Sequence, residues 1–122
     1  MRTYRATTFG AATVTDGKSV AALDPRLDVR IHSPTGFAWG YGGSGPAQLA
    51  LAILIDHFTH HGMPEAEAID YALRLYQHFK WAAIMSAPGD QPFALTTEQI
   101  EAYLRRLDTP YQAPAAVQDA VK

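Results

Sequence analysis

The residues best suited to chemistry lie in one glycine-rich loop that leads directly into an apolar helix. Residues 39–45 read Trp-Gly-Tyr-Gly-Gly-Ser-Gly, and Pro46 follows, a residue typical of a first helical turn. Backbone N–H groups at a helix N-terminus carry a positive partial charge and hold anions, and an aromatic ring beside them can stack on a base. The pattern therefore predicts a binding site for a small anionic ligand or nucleotide. The residues assigned to this site are Trp39, Tyr41, Gly42, Gly43, Ser44, Gly45 and Gln48.

The surroundings of the loop exclude two common nucleotide-binding folds. Gly40, Gly42 and Gly45 match the spacing Gly-x-Gly-x-x-Gly, but a dinucleotide fold also needs a parallel strand after the helix, with an acidic residue at its end. Here a second helical pattern follows instead. There is no Gly-Lys-Ser/Thr sequence either, so the loop is not a Walker phosphate loop. The alternative is purely structural: the glycines allow loop, sheet and helix to pack closely, while Trp39 and Tyr41 cover the core.

Two further residue patterns invite catalytic or metal-binding interpretations. His57 and His61 share one helix face, the spacing of a helical zinc pair, but no third ligand is indicated and helix C-termini favour histidine anyway. Ser33 or Ser44 could act as a nucleophile beside a histidine such as His32. Ser44 is better interpreted as a helix N-cap, which commits its oxygen to backbone amides. We therefore assign no catalytic residue, no metal ligand and no cofactor, and the sequence favours a non-enzymatic role.

The elements that must position the loop follow from hydrophobic periodicity. Threonines and aromatics predict a strand over residues 4–9, and Asp16-Gly17 predicts a hairpin turn between strands at 12–15 and 18–23. Leu27, Val29 and Ile31 alternate with charged residues, which predicts a further strand. These strands form a small antiparallel sheet, and Arg26 and Arg30 are expected on its polar face.

Helical patterns fill the second half of the chain. A buried central helix is predicted from about Pro46 to His61, ended by Gly62, and a second helix opens at Pro64. Thr96 and Gln99 have the spacing of a capping box at the start of a third helix. The fold class is therefore α+β, with the sheet of the N-terminal half packed on the central helix and two further helices. We predict one domain over residues 1–107 and a loosely ordered tail over residues 108–122.

Composition bounds the classes of function. The chain of 122 residues has no cysteine and a net charge of −2, so disulfides and thiolate chemistry are absent and a nucleic-acid partner is not favoured. No signal peptide and no apolar run long enough to cross a bilayer are visible, which predicts a cytoplasmic protein without a membrane partner. Trp81 lies off the main apolar stripe of its helix, so it is a candidate for a protein-partner surface.

Residues 32–52 carry a resemblance to a known family. The block reads HSPTGFAWGYGGSGPAQLALA and resembles the hallmark of the domain-of-unknown-function family six-one-six-six, whose members occur in bacteria, phages and plasmids. The similarity continues at residues 76–80 and, more weakly, at 95–100, so it covers most of the chain up to about Leu107. The resemblance transfers no activity, but it implies a small accessory protein of the kind that mobile elements carry.

These observations favour a non-catalytic binding module whose glycine-rich loop and helix N-terminus hold a small anionic ligand or nucleotide. The alternative is a protein-interaction module that inhibits a host defence factor, since some accessory proteins of mobile elements act in this way. A small hydrolase ranks third, and a histidine beside Ser44 in a cleft would support it.

Overall fold

The protein is built around one buried helix, as the apolar run after the glycine-rich loop predicts. The computed structural model describes residues 2–107 and 111–114. Helix α1 spans Ser44–His60, and each residue from 49 to 55 is at most 1% exposed. A helix without a polar face must be enclosed on all sides. Helix α2 (Glu65–Phe79) packs along α1, and apolar side chains of the sheet complete the same core.

The sheet is antiparallel and has the strand order β3-β2-β1-β4. Its strands are β1 (Arg2–Ala6), β2 (Thr13–Asp16), β3 (Ser19–Ala22) and β4 (Phe93–Thr96). The α+β class is confirmed, and so is the hairpin, in which Asp16 pairs with Ser19 and Gly17 has a φ of 61°. Strand β4 was not predicted. It lies far from β1 in the sequence but pairs with it in the sheet. It directly precedes α3, and its last residue, Thr96, was interpreted only as the start of that helix.

The strand predicted from the alternation of Leu27, Val29 and Ile31 is wrong. This segment forms turns, in which Arg26 has a positive φ of 57° and its carbonyl accepts hydrogen bonds from the N–H groups of Val29 and Arg30. Ile31 is 64% exposed, so the alternation does not separate a dry face from a wet one. The two arginines therefore lie on no sheet face. The Arg26 side chain bonds Asp28 and Glu65, and that of Arg30 donates to the Tyr76 hydroxyl.

The predicted helix boundaries hold closely. After α1 the chain turns at Gly62, whose φ of 95° is the left-handed conformation expected of a C-terminal cap. Helix α2 continues into a π-helical turn, Lys80–Ile84. Helix α3 spans Thr97–Arg105, and its capping box is confirmed, because the Thr96 hydroxyl accepts from the Gln99 N–H while the Gln99 side chain accepts from the Thr96 N–H.

The predicted tail lies partly outside the described residues, namely at 108–110 and 115–122. Within the described segment 111–114, the Tyr111 ring stacks on Phe58 and Tyr71. The backbone N–H of Gln112 donates to the Tyr71 hydroxyl at 2.9 Å. This segment is therefore fixed to α1 and α2. Among the described helices, none is both long and apolar enough to cross a membrane.

A charged cluster ties β1 to α1. The Arg2 guanidinium donates to both oxygens of Asp56, and the Tyr4 hydroxyl donates to the same carboxylate at 2.6 Å. Burial alone would raise the pKa of Asp56, but the hydrogen bonds from Arg2 and Tyr4 outweigh it and lower that pKa. Because the folded pKa lies below the unfolded one, the ionised Asp56 stabilises the fold above about pH 4. That stabilisation is lost as the pH falls through the folded pKa.

Asp56→Asn should therefore flatten the acid limb of the stability profile. We expect a loss of about 2 kcal/mol at pH 7, which shrinks as the pH falls through the lowered folded pKa and the wild-type carboxylate is protonated. Urea unfolding between pH 7 and pH 2.5 measures this. Asp70→Asn is the matched control, because Asp70 pairs only at the surface, with Arg74. An equal loss at both ends of the pH range would contradict the assignment.

Candidate functional site

The first half of the glycine-rich loop is clamped to the segment between α2 and β4. Gly40 has a φ of 86° and donates its N–H to the Ile84 carbonyl at 3.0 Å. A Cβ at Gly40 would lie 2.5 Å from the Cα of Gly89, so only glycine permits this backbone approach. Trp39 is buried, and its indole N–H donates to the carbonyls of Pro88 and Gln91. Close packing thus accounts for part of the glycine pattern.

The second half of the loop forms the N-terminus of α1. The N-cap is Gly43, in an extended conformation, and Ser44 is the first helical residue. The prediction of Ser44 as N-cap is therefore wrong. The N–H groups of Ser44 and Gly45 lie in the first turn of α1, where the helix itself offers no carbonyl four residues earlier to accept from them. No other described residue accepts a hydrogen bond from these two groups. Gly45 is buried, and a Cβ there would lie 2.7 Å from the Cβ of Ala38.

A cavity of about 350 Å³ opens at this helix end, and we name it the helix cavity. It brings together three hydroxyl groups, from Ser33, Thr35 and Ser44, none of which bonds another described residue. Two exposed aromatic rings, Phe9 and Tyr41, lie at its rim. The remaining lining residues are Gly10, Gly36, Phe37, Ala38 and Gly45. No charged side chain belongs to this lining, so the polar contacts on offer are hydroxyls and backbone amides.

A second cavity, about 310 Å³ in volume, shares Phe9 with the helix cavity, and we name it the turn cavity. Phe9 lines both cavities, and its ring meets Trp39 edge-on at a centroid distance of 4.8 Å. The turn cavity is lined by Thr7, Thr8, Phe9, Trp39, Gly89, Asp90, Gln91 and Pro92. A larger cavity of about 400 Å³ lies between α2 and Gln112.

The structure divides the predicted site. Tyr41, Ser44 and Gly45 line the helix cavity, whereas Trp39 lines the turn cavity. Gly42 and Gly43 line neither. A Cβ at Gly42 would meet the Met85 side chain, and one at Gly43 would meet the Tyr41 ring. These two glycines therefore serve the packing of the loop.

Gln48 is buried and anchors the segment before the loop. Its Oε1 accepts hydrogen bonds from the backbone N–H groups of His32 and Ser33, at 2.7 and 3.1 Å. Its Nε2 donates to the carbonyls of Pro25 and Arg30. All polar capacity of this amide is in use, so we leave Gln48 out of the proposed site. It acts indirectly, because it holds Ser33 at the wall of the helix cavity.

Sequence reasoning missed the residues that come from distant loops. Phe9, Ser33, Thr35 and Asp90 all line a cavity, but no regular spacing links them to the glycine-rich loop. Ser33 was considered only as a possible nucleophile beside His32, and Thr35 was assigned no role. These two hydroxyl residues beside an exposed turn were the available signal.

Three histidines, His32, His57 and His61, make hydrogen bonds away from both cavities. His57 is fully buried, and its Nε2 lies 2.7 Å from Glu101 Oε2, while His61 Nδ1 bonds the His57 carbonyl. His32 Nε2 bonds the Tyr76 hydroxyl at 2.7 Å. No histidine lines the helix cavity. Among the described residues, no group of three or more potential ligands is placed to hold a metal ion.

The fold and the cavities together define a small α+β domain with two adjacent cavities beside a clamped glycine-rich loop. Residues 2–106 match the model of a family of unknown function, DUF6166, and the chain belongs to this family. The predicted family membership is thereby confirmed. No curated protein and no solved structure matches the chain.

Proposed function

We propose that this protein is a non-catalytic binding module that holds a small anionic ligand, with a phosphate group in the helix cavity. The observation that carries the proposal is that one cavity is lined both by Ser44 and Gly45, whose backbone N–H groups donate to no described residue, and by three hydroxyls without a described partner. Each of these groups can donate a hydrogen bond to an oxyanion.

The electrostatics of α1 support an anion at this place. The helix is 17 residues long and its first turn holds no acidic residue, so no side chain competes for the exposed amides. Its body is buried among apolar side chains, where water screens the aligned peptide dipoles least. The lining itself carries no charge, so a modest affinity set by hydrogen bonds is expected.

Ser44→Asp should abolish phosphate binding without harming the fold. A carboxylate at the first helical position occupies the place of the anion and repels it, which costs at least tenfold in affinity for a like charge within about 4 Å. The same carboxylate interacts favourably with the positive end of the helix dipole, so it should raise the free energy of unfolding by about 0.5 kcal/mol. Isothermal titration with inorganic phosphate and amide chemical shifts of residues 44 and 45 measure both effects.

Ser44→Asn is the matched control, because it has nearly the shape of the aspartate variant but no charge. It should bind phosphate far better than Ser44→Asp does. Equal binding by the two variants would show that the anion does not sit at this helix end. An absence of binding by the wild-type protein to phosphate and to nucleotides would overturn the proposal and favour a protein partner.

A protein-interaction module is the second candidate. Trp81 is 64% exposed and lies on the π-helical turn after α2, outside both cavities. Large exposed aromatics are enriched where partners bind, and π-helical turns occur often at functional sites. The inhibition of a host defence factor, a mobile-element context and a cytoplasmic location belong to this proposal. We do not propose a hydrolase, because none of the residues that the structure describes places a general base in contact with the Ser44 hydroxyl.

A further inference from the structure

We infer that the turn cavity is a nucleobase subsite with a preference for guanine, so that the ligand is a guanine nucleotide. This inference rests on the proposed function, because it assigns the phosphate of the same ligand to the helix cavity. It names the class of ligand from the chemistry of the second cavity.

The position of Phe9 joins the two cavities into one extended site. Its side chain is 53% exposed and lines both cavities. The Phe9 ring meets the Trp39 ring edge-on, with an angle of 86° between the two ring planes. An exposed aromatic face stacks on any nucleobase, at a gain that alanine substitution puts at about tenfold or more per base. Because Phe9 lines both cavities, a nucleotide whose base stacks on this ring in the turn cavity can direct its phosphate into the helix cavity.

The far wall of the turn cavity is fixed before any ligand arrives. Trp39 bonds the carbonyls of Pro88 and Gln91, and the Gln91 N–H donates to the Pro88 carbonyl, so the turn is closed on itself. The close approach of Gly40 to Gly89 locks the same turn to the glycine-rich loop. A binding group on such a turn loses little conformational freedom when a ligand binds.

The polar groups on this wall match the edge of guanine. The Asp90 carboxylate is exposed and makes no hydrogen bond or ion pair with any described residue, and neither does the Gln91 side chain. Guanine presents two neighbouring donors, N1–H and N2–H, which the two oxygens of one carboxylate accept together. Adenine presents a donor beside an acceptor, so one carboxylate oxygen would face a ring nitrogen lone pair. The Gln91 amide can donate to the guanine O6, which adenine lacks.

Titration of the full chain with GMP, AMP, guanosine and inorganic phosphate tests the inference. The wild-type protein should bind GMP at least about tenfold more tightly than AMP, the discrimination expected of one bidentate pair. Asp90→Asn should remove this preference and leave the affinity for inorganic phosphate unchanged. Phe9→Ala should weaken GMP and AMP alike, because stacking does not distinguish the bases. Asp70→Asn, at another exposed aspartate, should change nothing.

The outcomes separate the base subsite from the phosphate site. Equal affinity for GMP and AMP, with phosphate binding that Ser44→Asp abolishes, would overturn the guanine subsite and leave the proposed function standing. Binding of guanosine that depends on Asp90, without any binding of phosphate, would overturn the phosphate site and support the base subsite. No binding of any of the four compounds would overturn both. Because Asp90 is exposed, the Asp90→Asn variant should have the melting temperature of the wild type. If its melting temperature is lower, the titration is repeated with Asp90→Ser.

Discussion

Glu101→Ala is expected to lower the free energy of unfolding by about 3–5 kcal/mol. Glu101 is 1% exposed, and its Oε2 accepts hydrogen bonds from His57 Nε2 and from the Tyr111 hydroxyl. Arg105 lies 3.6 Å from the other carboxylate oxygen. One carboxylate therefore joins α1, α3 and the segment at residues 111–114. Alanine leaves one buried donor, on His57, and one partly buried donor, on Tyr111, without an acceptor, and it opens a cavity.

The Tyr111 contact adds a second measurable link. Burial, together with the hydrogen bond to Glu101, raises the pKa of the Tyr111 hydroxyl well above its usual value, so this group remains a donor throughout the ordinary pH range. Tyr111→Phe removes only the hydroxyl and keeps the ring stacked on Tyr71. Its cost should be about 1 kcal/mol in the wild-type background and close to zero beside Glu101→Ala.

Chemical denaturation of the variants measures these losses, and Glu101→Gln keeps the measurement possible if the alanine variant does not fold. Glutamine preserves volume and one acceptor oxygen, so it should cost about 1–2 kcal/mol. Glu98→Ala, at an exposed position of the same helix, is the control and should cost less than about 1 kcal/mol. A loss below 1 kcal/mol for Glu101→Ala would show that water replaces the carboxylate in solution.

The elements that the sequence predicted correctly are those specified by neighbouring residues. The uninterrupted apolar run of residues 49–55 can exist only inside a core, and Gly62 and the Thr96–Gln99 pair mark helix ends through local backbone geometry. The hairpin likewise depends on a short turn with one residue at positive φ. Such signals act within about five residues, so they remain readable without any knowledge of the fold.

The errors arose where a distant side chain decides the backbone. Residues 26–31 alternate like a strand, but the carbonyl of Arg30 and the N–H of His32 bond the Gln48 side chain instead of a neighbouring strand. Strand β4 exists because β1 offers it an edge, which local sequence does not reveal. The loop was recognised as a candidate site from its glycines. Its partners Ser33, Thr35 and Asp90 arrive through tertiary packing, beyond the reach of spacing rules.

Gln48→Glu tests this long-range control directly, and it should lower the free energy of unfolding by about 3 kcal/mol or more at pH 7. The oxygen that accepts from His32 and Ser33 is retained. The donor to the carbonyls of Pro25 and Arg30 becomes a carboxylate oxygen, which repels both carbonyls in a site without solvent. The side-chain volume hardly changes, so the loss reports the reversed hydrogen-bond polarity and not a packing defect.

The pH dependence of this variant distinguishes reversed polarity from general damage. Burial raises the pKa of the introduced carboxyl above its unfolded value, so its protonated form, which can again donate to one carbonyl, is favoured in the folded state. The stability deficit relative to wild type should therefore be smaller at pH 5 than at pH 8. Gln77→Glu, at an exposed position of α2, is the control and should show neither the deficit nor its pH dependence. A deficit of equal size at both pH values would mean that the segment at residues 25–33 has moved away from α1. The helix cavity would then have lost its Ser33 wall, and the affinity of this variant for phosphate should also fall. If the variant instead keeps the stability of the wild type at pH 8, the position of the segment at residues 25–33 does not depend on Gln48.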